Sequence, residues 1–231
     1  MSRVQAAPAG LLRRYAAWSL DMMLVAVVVL PACADGVLAG ASRIADTFDA
    51  LVRSLAQSML EMLDSGGSPL ALSRQWLSDP QQAAMAGALS EAVAATVLPP
   101  LLLAAALSLV WFAAWEASPR QATPGKRALG LRVCAAQGAG RIGIMRAAGR
   151  HLAGVLSWLT LNIGHLLALA PPHYQALHDR IAGTQVVPAQ AGATLPRWAQ
   201  AWLALQVVAA LVFSGWLFLA AMQGALDALL L

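Results

Sequence analysis

The sequence predicts an all-α membrane protein: a small helical bundle of three or four hydrophobic segments, with an amphipathic outer helix and room for a two-stranded cytoplasmic β element. Three observations predict it. Of 231 residues, 59% are hydrophobic and only 11% charged, whereas soluble domains carry about 25% charged residues. Apolar runs long enough to cross a bilayer recur along the chain. Charge is also partitioned, with acids gathered in one connecting stretch and basic residues in another, as membrane orientation requires. The net charge of +4 therefore reads as orientation and contact with anionic lipid headgroups, and no basic motif with interleaved aromatics points to nucleic acid. Cys33 and Cys134 would lie on opposite sides of the membrane, which excludes a disulfide between them, and neither has metal-ligand spacing.

Residues 1–14 form a cytoplasmic lead, placed inside by Arg3, Arg13 and Arg14. Residues 15–34 form the first span. Ala32-Cys33-Ala34 resembles a signal-peptide cleavage site, but Asp21 interrupts the apolar run, so the segment reads as a permanent helix. A carboxylate in hydrocarbon is costly and must find partners in a protein interior. Arg14 lies on the same helical face as Asp21 but two turns away, about 10 Å along the axis. That is too far for a direct pair, so Asp21 needs a partner from elsewhere.

Asp35-Gly36 end this span, and residues 36–91 make an outer excursion. From Asp35 to Glu91 there are seven acids against three arginines. Ile44, Phe48, Leu51, Leu55, Met59 and Met62 recur at helical spacing, opposite Arg43, Asp46, Arg53, Gln57 and Glu61, which predicts an amphipathic helix. Ser65-Gly66-Gly67-Ser68-Pro69 stops it, and Asp79-Pro80 opens the next helix.

Residues 92–115 form the second span, which Pro99-Pro100 should kink or break. Trp111 and Trp115 read as interface anchors. The loop 116–150 carries seven basic residues and one acid and reads as cytoplasmic. Within it Thr123 caps a short helix opened by Pro124, and Leu131–Cys134 alternates like a strand. The third apolar segment, 152–170, is either one span or a hairpin with Asn162-Ile163-Gly164 at the bend, since irregular backbone at that depth must be buried in protein or line a cavity. A short helix with His178-Asp179-Arg180 follows, then a second candidate strand at Thr184–Val187. Residues 188–231 add a further transmembrane helix.

Three pieces carry a family resemblance. They are Arg14-x-x-Ala17-x-x-x-Asp21, the run Thr123-Pro124-Gly125-Lys126-Arg127-Ala128-Leu129-Gly130-Leu131-Arg132-Val133, and Leu177-His178-Asp179-Arg180-Ile181-Ala182-Gly183-Thr184. Together they resemble the RDD family of bacterial membrane proteins, named for an arginine and two aspartates. The resemblance assigns those name-giving positions to Arg14, Asp21 and Asp179 and makes 15–187 an RDD-like membrane domain. It implies a protein of the bacterial cytoplasmic membrane, multi-pass, with a cytoplasmic N-terminus. It favours the hairpin reading of 152–170, and with it the pairing of the two strands. It suggests transport, including cation–proton exchange for some members. The long outer excursion and the helix after Trp198 depart from the short family pattern.

Each candidate site has a functional and a structural reading. Asp21 would be a cation or proton site, or a buried ion pair with Arg13, Arg14 or a loop arginine. Asp179, beside His178, would complete that site, or pair with Lys126 or Arg127 and hold two segments together. Lys126, Arg127 and Arg132 would meet lipid headgroups. The histidines lack metal-ligand spacing, no serine or cysteine has a base and an orienting acid in recognisable positions, and Gly138-Ala139-Gly140 is a turn. No catalytic residue, metal or cofactor is expected, and the protein is not expected to be an enzyme. Two functions remain. One is a small transporter or transporter subunit with a cation or proton site at buried carboxylates, working as a homo-oligomer or with a partner membrane protein. The other is a non-transporting scaffold that recruits a partner or lipid.

Overall fold

The computed structural model describes residues 9–138, 140–190 and 194–230, with side chains up to Gly224. The elements run α1 Leu11–Asp64, α2 Pro69–Ser78, α3 Pro80–Ala117, α4 Pro124–Ala128, β1 Leu131–Ala135, α5 Ile144–Leu159, α6 Ile163–Leu166, a single 3₁₀ turn Leu167–Leu169, α7 Leu177–Ile181, β2 Thr184–Pro188 and α8 Arg197–Leu230. Among the described residues, three helices (α1, α3 and α8) are long and apolar enough to cross a membrane. The fold is an all-α membrane protein with one small sheet.

Two expectations about helix ends need correction. Asp35-Gly36 do not end the first helix: α1 continues to Asp64, so the amphipathic stretch 44–62 is its second half and not a separate helix. An isolated glycine costs a helix about 1 kcal/mol, too little to break one whose backbone bonds continue on both sides. Pro99-Pro100 do not interrupt α3 either. Backbone groups freed in lipid find no water, so a continuous helix that loses two bonds is preferred over an open break. The real stops carry stronger chemistry. Gly66, at φ +65°, and Gly67 follow α1, Ser68 caps α2 through its hydroxyl, and Asp79 caps α3 by accepting from Gln81 N–H.

The chain divides into two compact units. One contains α1 up to Val28 and Leu103–Val207. In it β1 and β2 pair antiparallel, Val133 opposite Val186, and each strand is prepared the same way. A short helix (α4 or α7) ends at a glycine of positive φ, Gly130 at +60° and Gly183 at +61°, which a side chain would strain. The strand follows at once. Ala16, Ala17, Leu129, Leu131, Val133, Ala147, Val186 and Ala199 form the core around the sheet.

The sheet also closes a loop. Ala136 N–H donates to Gly183 O at 2.9 Å, so the chain leaves and re-enters at one point. Between lie α5 and α6, which meet at a 116° bend, where Leu161 and Asn162 adopt φ of +51° and +66°. α5 is inverted relative to a soluble helix. Ala147, Arg150, Ala153 and Ser157 are buried, while Leu152, Val155, Leu156 and Leu159 are exposed.

The second unit contains Val29–Leu102 and the chain from Val208 onward. Here α1 and α3 approach closely at Gly40, where an added Cβ would overlap the Thr96 side chain. Gln82 Nε2 donates to Ser54 Oγ at 2.7 Å.

Candidate functional site

Five charged side chains meet in the first unit. α1 contributes Arg14, the last turn of α3 Glu116, α4 Lys126, α5 Arg150 and α7 Asp179. Arg14 Nη1 donates to Asp179 Oδ2 and Arg150 Nε to Asp179 Oδ1, both at 2.8 Å. The same Arg150 reaches Glu116 with Nη1, at 2.8 and 2.9 Å from its two oxygens. Lys126 Nζ donates to Glu116 Oε1 at 2.9 Å and stands 4.6 Å above the Phe112 ring, a favourable place for a cation. Arg150 is thus the hub, its planar fork shared between two carboxylates, as a lysine could not manage.

The backbone completes the site. Arg14 Nη2 donates to Tyr174 O and Val186 O, tying α1 to β2 and the approach to α7. Ala176 N–H donates to Asp179 Oδ2 at 3.2 Å. Both oxygens of each carboxylate are therefore engaged by donors. Burial alone would raise the Asp179 pKa, but the guanidinium of Arg150 above all, with that of Arg14, holds this carboxyl well below the usual carboxylate range. Arg150 Nη2 donates to His178 Nε2 at 3.2 Å, since a guanidinium offers no acceptor. Burial first, and then Arg150, pushes His178 down to about 3. The ring is neutral, with its proton on Nδ1.

Asp21 belongs to a second, separate site. Its carboxylate accepts from Thr123 Oγ1, from Gly125 N–H at 2.9 Å and from Trp111 Nε1 at 3.3 Å. These donors are neutral. Thr123 also caps α4, accepting from Lys126 N–H, so the Thr-Pro-Gly-Lys run packs its first turn onto α1. Glycine is required at 125, because a Cβ there would press on Ala17 O and lie 2.9 Å from the Asp21 carboxylate.

The sequence-derived residues therefore fall into three places. Arg14, Asp179 and His178 come together with Lys126 in the ion-paired network, whereas Asp21 stands apart from Arg14 and Asp179. Arg127 and Arg132 are exposed. The pairing expected of Asp179 with Lys126 or Arg127 is corrected: its partners are Arg14 and Arg150, while Lys126 belongs to Glu116. Trp111, read as an interface anchor, is a hydrogen-bond donor to the buried acid. Glu116 and Arg150 were missed. Glu116 did carry a signal, as the one acid in the otherwise basic stretch 116–150.

The remaining charges of this unit share one sign. Its acids Asp21, Glu116 and Asp179 are each 0% exposed. Arg120, Arg127, Arg132, Arg141, Arg146, Arg180 and Arg197 are exposed. Among the described residues, every exposed charged side chain of the unit is an arginine.

The sequence profile of the RDD family matches residues 8–183. The chain belongs to the RDD family. It is 36% identical over 90 residues to the uncharacterized protein YxaI of Bacillus subtilis (strain 168), a match covering 39% of this chain and 58% of the relative. The chain thus spans under two thirds of that relative's length. No solved structure matches. In this RDD protein Arg14 and Asp179 are direct partners, and Asp21 fixes the Thr-Pro-Gly-Lys turn.

Proposed function

We propose that this chain is a multi-pass protein of the bacterial cytoplasmic membrane, with its N-terminus and the sheet on the cytoplasmic side, and that its paired charges are a structural lock. It then serves as a non-enzymatic scaffold or subunit on which a partner or lipid assembles. The observation that carries this reading is the balance of the network: two carboxylates, both oxygens of each already engaged, face three cations. An arriving cation would find no spare oxygen and a surplus of positive charge.

Segment 152–170 is a re-entrant hairpin in this reading. α5 is about 24 Å long and the α6 limb far shorter, against about 30 Å of hydrocarbon. The hydrogen bond between Ala136 and Gly183 supports this reading, because it brings the two ends of the excursion together. Cysteines placed at His173 and Gln190 are expected to be labelled by impermeant thiol reagents from the cytoplasmic side alone; labelling of the His173 position from outside would overturn this topology.

A second reading, a proton or cation site for transport, rests on Asp21, whose donors among the described residues are neutral. The experiment that separates the two is ion flux in proteoliposomes. The lock predicts no flux above empty vesicles; flux that Asp21→Asn abolishes would establish the transport reading.

A further inference from the structure

The unit that holds the lock spends its acids internally and leaves a surface of arginines. Three of these stand where α3 ends and the hairpin begins. Arg141 Nη2 donates to Ala117 O at 2.9 Å, which fixes it against the end of α3, three residues before Arg120. Arg146 lies in the first turn of α5, directly after Ile144 and Met145, which are 58% and 82% exposed. A cation that emerges within one turn of exposed apolar residues, on a helix whose outward face is apolar, sits at the depth where hydrocarbon gives way to headgroups.

We propose that Arg120, Arg141 and Arg146 form a binding surface for anionic phospholipid headgroups at the root of the hairpin. The guanidinium fork matches two oxygens of a phosphodiester, and none of the described acids of this unit reaches the surface to compete. Positive-inside orientation accounts for cations in this stretch; it does not account for their position around the hairpin root with apolar side chains beside them. Lys126, which looked from the sequence like part of such a surface, is taken up by Glu116. The inference rests on the re-entrant reading of 152–170, but its test does not use that topology, so the two can fail separately.

The test is native mass spectrometry of the full chain released from nanodiscs of equal phosphatidylglycerol and phosphatidylcholine. The wild type is expected to retain phosphatidylglycerol at least threefold over phosphatidylcholine. The R120Q/R141Q/R146Q variant should lose that preference while R127Q/R132Q keeps it, and thermal melting of both variants will show that they fold. Equal retention of the two lipids by the wild type would overturn the proposal, as would an unchanged preference in the triple variant. Displacement of the lipid by millimolar inorganic phosphate would also overturn it, assigning the site to the free ion, and so would displacement by a short RNA.

Discussion

The two units treat their acids in opposite ways. In the first, Asp21, Glu116 and Asp179 are buried and engaged, and the exposed charge is arginine. In the second, Asp35, Asp46, Asp49, Glu61, Asp64 and Glu91 are exposed, with Asp79 at the cap of α3, against Arg43, Arg53 and Arg74. Counting charges along the chain would assign the first unit an excess of cations and stop there. The structure adds that its few acids are internal joints, each joining segments far apart in sequence, while the described acids of the second unit, Asp79 apart, lie exposed on its surface. Acids of the first kind should therefore cost stability when changed, and acids of the second kind should not.

The largest loss is expected at the hub. Arg150→Met would leave Glu116 and Asp179 buried without their shared partner, a loss of about 3–5 kcal/mol by analogy with broken buried pairs, read as a fall in denaturation midpoint in detergent or nanodiscs. Asp21→Asn should cost less, about 1.5–3 kcal/mol, because its donors are neutral and the amide oxygen still accepts. If Asp21→Asn proved as damaging as Arg150→Met, the distinction between the two buried sites would fail.

Acid should loosen the first unit specifically. His178 takes up its proton near 6.5 when unfolded but only near 3 when folded. Between those values the unfolded chain binds more protons, so stability falls as pH drops through this window. Asp179, depressed in the fold, adds its own loss below the ordinary carboxylate pKa. His178→Gln should flatten the decline between pH 6.5 and 4, as measured by melting temperature. The smallest effect is predicted for the second unit, where Asp46→Asn and Glu61→Gln should leave the melting curve unchanged.

Much of this organisation was legible in the sequence. The apolar runs gave the helices, and Thr123-Pro124 gave the cap of α4. The two strand candidates and the turn at Asn162 gave the sheet and the bend. The buried network was legible only in part, because an ion pair between α3 and α5 is a non-local event. Glu116 and Arg150 lie 34 residues apart and share no periodic signal, so Arg150 passed as one more basic residue of a cytoplasmic loop. Arg14 and Asp179 were visible through the family pattern, but nothing in the pattern said that they touch each other and not Asp21. The continuation of α1 past Asp35-Gly36 was missed because weak breakers were read as strong ones.

The central claim is that Arg14 and Asp179 act as a buried structural pair, and a double-mutant cycle tests it most directly. Arg14→Gln, Asp179→Asn and the combined variant would be unfolded in the same nanodisc. The account predicts strong non-additivity, with the double variant more stable than the sum of the single losses implies, by at least about 1 kcal/mol. Losses that simply add, or single variants each as stable as the parent, would contradict it.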